Sequence, residues 1–146
     1  MQKVPQLSTK NEAPLDVYPY DDAFISEQRN TRKFCIFCEI ITGRSIGNIR
    51  YEDDDVVVFD NRLTWVPVML LVVPRTHLTQ REMWSDAVLL GRIGDLAVRF
   101  GQELCPGGFR LLSNFGNDAL QTQDHAHLHV TGGDHLGIYV RPPKTI

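Results

Sequence analysis

Residues 125–131 read His-Ala-His-Leu-His-Val-Thr, so three of the chain's five histidines fall in one short segment. Along an extended strand successive side chains point to opposite faces, which puts His125, His127 and His129 on one face. Ala126, Leu128 and Val130 then fill the other. Alternate residues lie roughly 6.5–7 Å apart, so the imidazoles form a row that a single ligand could span. Expression tags are contiguous and terminal, whereas this motif alternates with apolar residues suited to a core. Two kinds of chemistry fit it: metal ligation and attack on phosphorus.

A second group of candidate ligands precedes it. Cys35-Ile-Phe-Cys38 has the two-residue gap that lets both sulfurs reach one Zn²⁺, although a redox pair has the same spacing. Zinc wants two further ligands; His77 offers one and the triad another. Asn114, Gln121 and Thr122 precede the histidines in a polar segment. Such neutral groups can hydrogen-bond phosphate oxygens without neutralising a nucleophile. Asp60-Asn61 could address ribose hydroxyls. The acidic run Asp53-Asp54-Asp55 reads as a solvated turn.

The elements that must hold these residues follow from patterning. Phe34–Thr42 reads as a short helix ended by Gly43. Ile49–Tyr51 and Val56–Phe59 flank the acidic turn as a hairpin, and Val68–Val73 is a buried strand. From Ser85 to Leu104 the residues Leu89, Ile93, Leu96, Ala97, Phe100 and Leu104 recur at helical spacing, with Ser85 or Thr79 as the cap. Phe109–Ser113 is a strand, Asn114–Asp124 a loop, and His125–Thr131 the histidine strand. Hairpin-length links predict an α+β fold: a mostly antiparallel sheet of about five strands with one long and one short helix.

At 146 residues with 42% hydrophobic and 23% charged content, the chain is expected to form one domain, 33–146, after an N-terminal extension, 1–32, rich in proline. A net charge of −3 offers no basic field for nucleic acid or an anionic membrane. No apolar run reaches transmembrane length, no basic-then-apolar leader opens the chain, and three cysteines cannot all pair. A cytoplasmic location is the expectation. Cys105 reads as a packed thiol, His135 as a loop histidine, and Trp65 and Trp84 as packing anchors.

The opening Cys-Ile-Phe-Cys-Glu-Ile-Ile, Tyr-Glu-Asp-Asp-Asp with Val-Phe-Asp-Asn, Val-Val-Pro-Arg-Thr-His and the terminal His-Ala-His-Leu-His-Val-Thr occur in this order. Together they resemble the histidine triad superfamily of nucleotide hydrolases and transferases over roughly residues 34–143. The glycines after the triad make the chain most similar to the small purine-nucleotide phosphoramidase branch. The resemblance implies that His127 attacks the α-phosphorus of a nucleotide conjugate, while His129, Asn114 and Thr122 bind the phosphate, with Gln121 beside them. Ile36, Phe37, Ile40 and Phe59 would line a purine pocket, with Asn61 near the ribose. It implies a structural zinc on Cys35, Cys38, His77 and His125, and a homodimer joined through the long helix and the strand beside it.

Three positions depart from the family pattern. Met69 stands where many members have a histidine behind the triad, Leu120 replaces a glycine near the phosphates, and Thr131 replaces an apolar residue. Met69 and Leu120 motivate an alternative, a nucleotide-binding protein with weak or no turnover. A zinc-centred module using all three histidines is another.

Overall fold

The computed structural model describes residues 34–138 and 140. The extension read at 1–32 and the segment from Arg141 onward lie outside the described residues. The element order is α1 (Ile36–Ile41), β1 (Ile49–Glu52), β2 (Val56–Asp60), β3 (Val68–Pro74), α2 (Gln80–Ser85), α3 (Ala87–Leu104), β4 (Phe109–Leu112), a 3₁₀ turn (Asn117–Ala119) and β5 (Leu128–Gly132). The strands form one sheet in the order β1-β2-β3-β5-β4, every pair antiparallel. The α+β expectation holds. The last strand in sequence is inserted between β3 and β4, so the histidine segment runs into the sheet's interior.

Both faces of the central strands are covered, which explains their near-continuous apolar runs. Val56, Val58, Leu70, Val72, Leu128 and Val130 face a core completed by Met83 of α2 and by Ile93, Leu96 and Ala97 of α3. The alternate residues Val57, Phe59, Leu71 and Val73 face a smaller core closed by Phe37 of α1. His129 pairs with Leu71 and therefore lies on the α1 face.

Two boundaries differ from the sequence reading. The long helix begins at Ala87, capped by Asp86, whose carboxylate accepts from the Leu89 N–H at 3.0 Å. Thr79 instead caps a separate short helix, α2, through a reciprocal box with Glu82. Among the described residues there are therefore two short helices, not one. The histidine strand also starts later than expected, at Leu128, so His125 and His127 precede the ladder. Pro74 has no N–H to extend the β3 pairing past Val72–Leu128.

The acidic turn has a structural task. The Asp53 carboxylate accepts from the Asp55 and Val56 N–H groups at 2.8 Å each and from the Tyr51 hydroxyl, and it pairs with Arg92 of α3. Burial alone would raise its pKa; the backbone N–H of Asp55, with Tyr51, Val56 and Arg92, outweighs that and holds it at about 2. Cys105 is buried as expected: a Cβ added at Gly132 would sit 2.6 Å from its Sγ. His135 is exposed on the loop after β5.

Candidate metal centre and histidine site

Cys35 is the N-cap of α1, its Sγ accepting from the Cys38 N–H at 3.4 Å. The first helical turn thus points both sulfurs in one direction. Opposite them stand His77, on the link between β3 and α2, and His125, just ahead of β5. The four ligand atoms all lie within 4.8 Å of one another. Cys35 Sγ is 3.4 Å and Cys38 Sγ 3.5 Å from His125 Nδ1, and Cys38 Sγ is 3.4 Å from His77 Nδ1. A tetrahedral zinc with Zn–S near 2.3 Å and Zn–N near 2.0–2.1 Å requires an S···N edge of about 3.5 Å. The donor set and its spacing fit zinc.

The orientation of His125 supports the same fit. Its Nε2 lies 2.8 Å from the Pro74 carbonyl, which can only accept, so Nε2 carries the proton and Nδ1 keeps a lone pair toward the sulfurs. His125 is fully buried, and that burial pushes its pKa down to about 4, keeping the ring neutral. Burial, then the hydrogen bond and charge of Cys35, push the Cys38 thiol up to about 11, so a bound cation must displace its proton. Four protein ligands complete a tetrahedron and leave no open position, which marks a structural centre. It would join α1, the β3–α2 link and the approach to β5.

His127 sits behind this cluster. Its Nδ1 is 2.8 Å from the His125 carbonyl and therefore carries the proton, leaving Nε2 as the basic nitrogen. Burial lowers its pKa, and the His125 carbonyl only partly opposes that. The ring of Phe37 packs edge-on at 5.2 Å, and the His129 ring lies 4.9 Å away on the other side of the row. Burial, then the proximity of His127, bring His129 down to about 3. The row thus comprises one imidazole turned to the sulfurs and two neutral imidazoles behind it.

The other expected site residues are placed variously. Phe37 and Phe59 are buried with ring centroids 5.4 Å apart, so they back the α1 face, while Ile36 and Ile40, like Ile41, are half-exposed on that helix. Asn61 turns its side-chain oxygen to the Leu63 N–H at 3.0 Å. Asn114 and Thr122 are half-buried on the loop before the histidines. The Gln121 amide closes that loop, accepting from the Gly116 N–H at 2.9 Å and donating to the Gln123 carbonyl at 3.0 Å. Two residues were missed. Gln80 and Ser113 both hydrogen-bond the main chain of His127, across 47 and 14 residues of sequence, and neither belongs to a motif.

Leu120, next to Gln121, adopts φ 58° and ψ 36°, the left-handed region that costs an L-residue about 1–2 kcal/mol. Replacing it with alanine or glycine removes the same side chain, but only alanine retains the strained backbone. Leu120→Gly should therefore be more stable than Leu120→Ala by about 1 kcal/mol, after allowing for glycine's freer unfolded chain. Urea unfolding of the pair measures it; equal midpoints would contradict the strain.

The Cys₂His₂ cluster beside a row of imidazoles, on a five-stranded antiparallel sheet, defines a histidine-triad type of domain. The HIT domain family matches residues 43–136, and the chain belongs to it. An uncharacterized HIT-like protein from Saccharolobus solfataricus is 36% identical over 99 residues, covering 66% of this chain and 71% of its own. The structure of a HIT family hydrolase from Clostridium thermocellum superposes with a TM-score of 0.67 at 31% identity, covering 73% of this chain and 96% of its own. A zinc-bound histidine triad family protein from Mycobacterium smegmatis superposes at 0.62 with 26% identity, covering 76% and 84%. The fold is that of HIT family hydrolases. Among the described residues no helix is long and apolar enough to cross a membrane.

Proposed function

We propose that the protein is a purine-nucleotide hydrolase or nucleotidyl transferase that cleaves at the α-phosphate of phosphoramidates or dinucleoside polyphosphates. The observation that carries this reading is the 2.8 Å bond from His127 Nδ1 to the His125 carbonyl. It holds the proton on one nitrogen and leaves the other with its lone pair. Nε2 attacks the α-phosphorus as the bond from phosphorus to the leaving nitrogen or oxygen breaks; the leaving group takes that electron pair, an amine also taking a proton from solvent water that the second step returns. Water then attacks the nucleotidyl-His127, breaking the N–P bond and releasing a nucleoside monophosphate. His129, Asn114 and Thr122 bind the α-phosphate oxygens, and Gln121 shapes the loop that presents them. Ile36 and Ile40, backed by Phe37 and Phe59, face the base, with Asn61 near the ribose. Zinc on Cys35, Cys38, His77 and His125 supplies structure, a cytoplasmic setting keeps the thiols reduced, and a homodimer forms through α3 and β4.

Incubation with adenosine 5′-phosphoramidate and with a dinucleoside polyphosphate tests the reading. AMP should accumulate from at least one; none from either contradicts it. A second reading, a nucleotide-binding protein with little turnover, is favoured by Met69. Its pairing with Thr131 puts it on the same face as His129, where the family pattern has a histidine. In that case AMP binds and no burst of product appears.

A further inference from the structure

The main chain of His127 is held by side chains, not by a strand. The β4–β5 ladder ends at Leu112–His129, and the β3–β5 ladder at Val72–Leu128. Beyond those points the buried amide and carbonyl of His127 need other partners. Gln80, itself only 3% exposed, provides them: its Oε1 accepts from the His127 N–H at 3.2 Å, and its Nε2 donates to the His127 carbonyl at 3.1 Å. Ser113 Oγ donates to the same carbonyl at 2.7 Å. One residue earlier the Ala126 N–H donates to the Leu78 carbonyl at 2.7 Å. Leu78 and Gln80 therefore hold residues 126 and 127 where the ladder has ended, with the Gln80 side-chain amide standing in for a peptide group.

Local structure explains why Gln80 can hold this pose. It is the first residue of α2, directly after the Thr79 cap, and the reciprocal box with Glu82 fixes the turn from which it projects. Its amide nitrogen also reaches the Asn114 carbonyl at 3.4 Å, so the same side chain touches the start of the loop proposed to bind phosphate.

We propose that Gln80 is a positioning residue for the His127 nucleophile, fixing the main chain from which the imidazole projects; this rests on the reading of His127 given above. The ring itself is aligned by its bond to the His125 carbonyl and by edge-on packing against Phe37 and His129. A shift of about 1 Å in a reacting atom costs on the order of 100-fold in rate.

Gln80→Met keeps length and volume and removes both hydrogen bonds. For adenosine 5′-phosphoramidate its kcat should fall about 10- to 100-fold with KM within about twofold of wild type, at a temperature well below its melting point. By hydrogen exchange the His127 amide should lose protection while the Val72 and Val130 amides keep theirs. A kcat within about twofold of wild type, or a loss matched by the unfolded fraction, overturns the proposal. So does unchanged protection of the His127 amide. Should the methionine variant not fold, Gln80→Glu retains the accepting oxygen and loses the amide donor, and a kcat at the wild-type level overturns the proposal equally. If wild type turns over no nucleotide substrate, the nucleophile reading fails. Hydrogen exchange then decides separately whether Gln80 holds the His127 main chain.

Discussion

His127→Ala should lose about 10⁴-fold or more in kcat toward nucleotide conjugates, because removing a covalent nucleophile leaves only binding and electrostatic stabilisation. The same variant should keep its zinc, while the loss of the buried ring lowers its stability by about 1–3 kcal/mol. His127 donates to the His125 carbonyl through its own Nδ1, and the ligand atom of His125 faces the sulfurs whatever stands at 127. Its main-chain bonds to Gln80 and Ser113 also survive the substitution. A product assay with a metal determination on the same sample reads both halves. Loss of zinc together with activity would instead favour a metal centre that uses the whole triad.

Cys35→Ser should have the largest effect on stability. Cys35 caps α1 and is one of four ligands drawn from three separate parts of the chain. Binding energy at such a closed site is folding energy. Removing one thiolate should release the metal and cost about 3 kcal/mol or more, lowering the melting temperature by roughly 10 °C for a domain of this size. A chelator should do the same to wild type and add nothing to the variant. Activity should fall too, since His125, whose carbonyl fixes the His127 tautomer, would keep its bond to the Pro74 carbonyl but lose its metal. Unchanged melting in either experiment would remove the metal from the account of the fold.

Much of this arrangement could be read from the chain, for identifiable reasons. The strands β2 and β3 declared themselves because burial on both faces demands continuous runs such as Val56–Phe59 and Val68–Val73. The stripe on α3 showed through because one helical face meets one core. The metal ligands were a different case. Cys35 and Cys38 share a helical turn, but His77 and His125 reach them across 39 and 90 residues, so the set came from family resemblance and only the structure brings the atoms together.

What was not legible depends on long-range geometry. The histidine segment has the alternation of a strand from His125 onward, yet pairing begins at Leu128 because Pro74 lacks an N–H and β4 has already ended. The break at Asp86 divides a continuous helical pattern because its main-chain N–H closes one helix on the Met83 carbonyl while its carboxylate caps the start of the next, a choice that periodicity does not register. Gln80 follows a helix cap and would ordinarily be solvated. Nothing in its neighbours announces that it will be buried against the main chain of His127.

In the proposed reaction His127 becomes covalently bonded to the nucleotide. Rapid quenching of wild-type protein with adenosine 5′-phosphoramidate, followed by intact and peptide mass spectrometry, tests it most directly. One added adenylate per chain is expected, mapped to His127 and absent from His127→Ala. Turnover to AMP with no adduct, or an adduct on another residue, would contradict it.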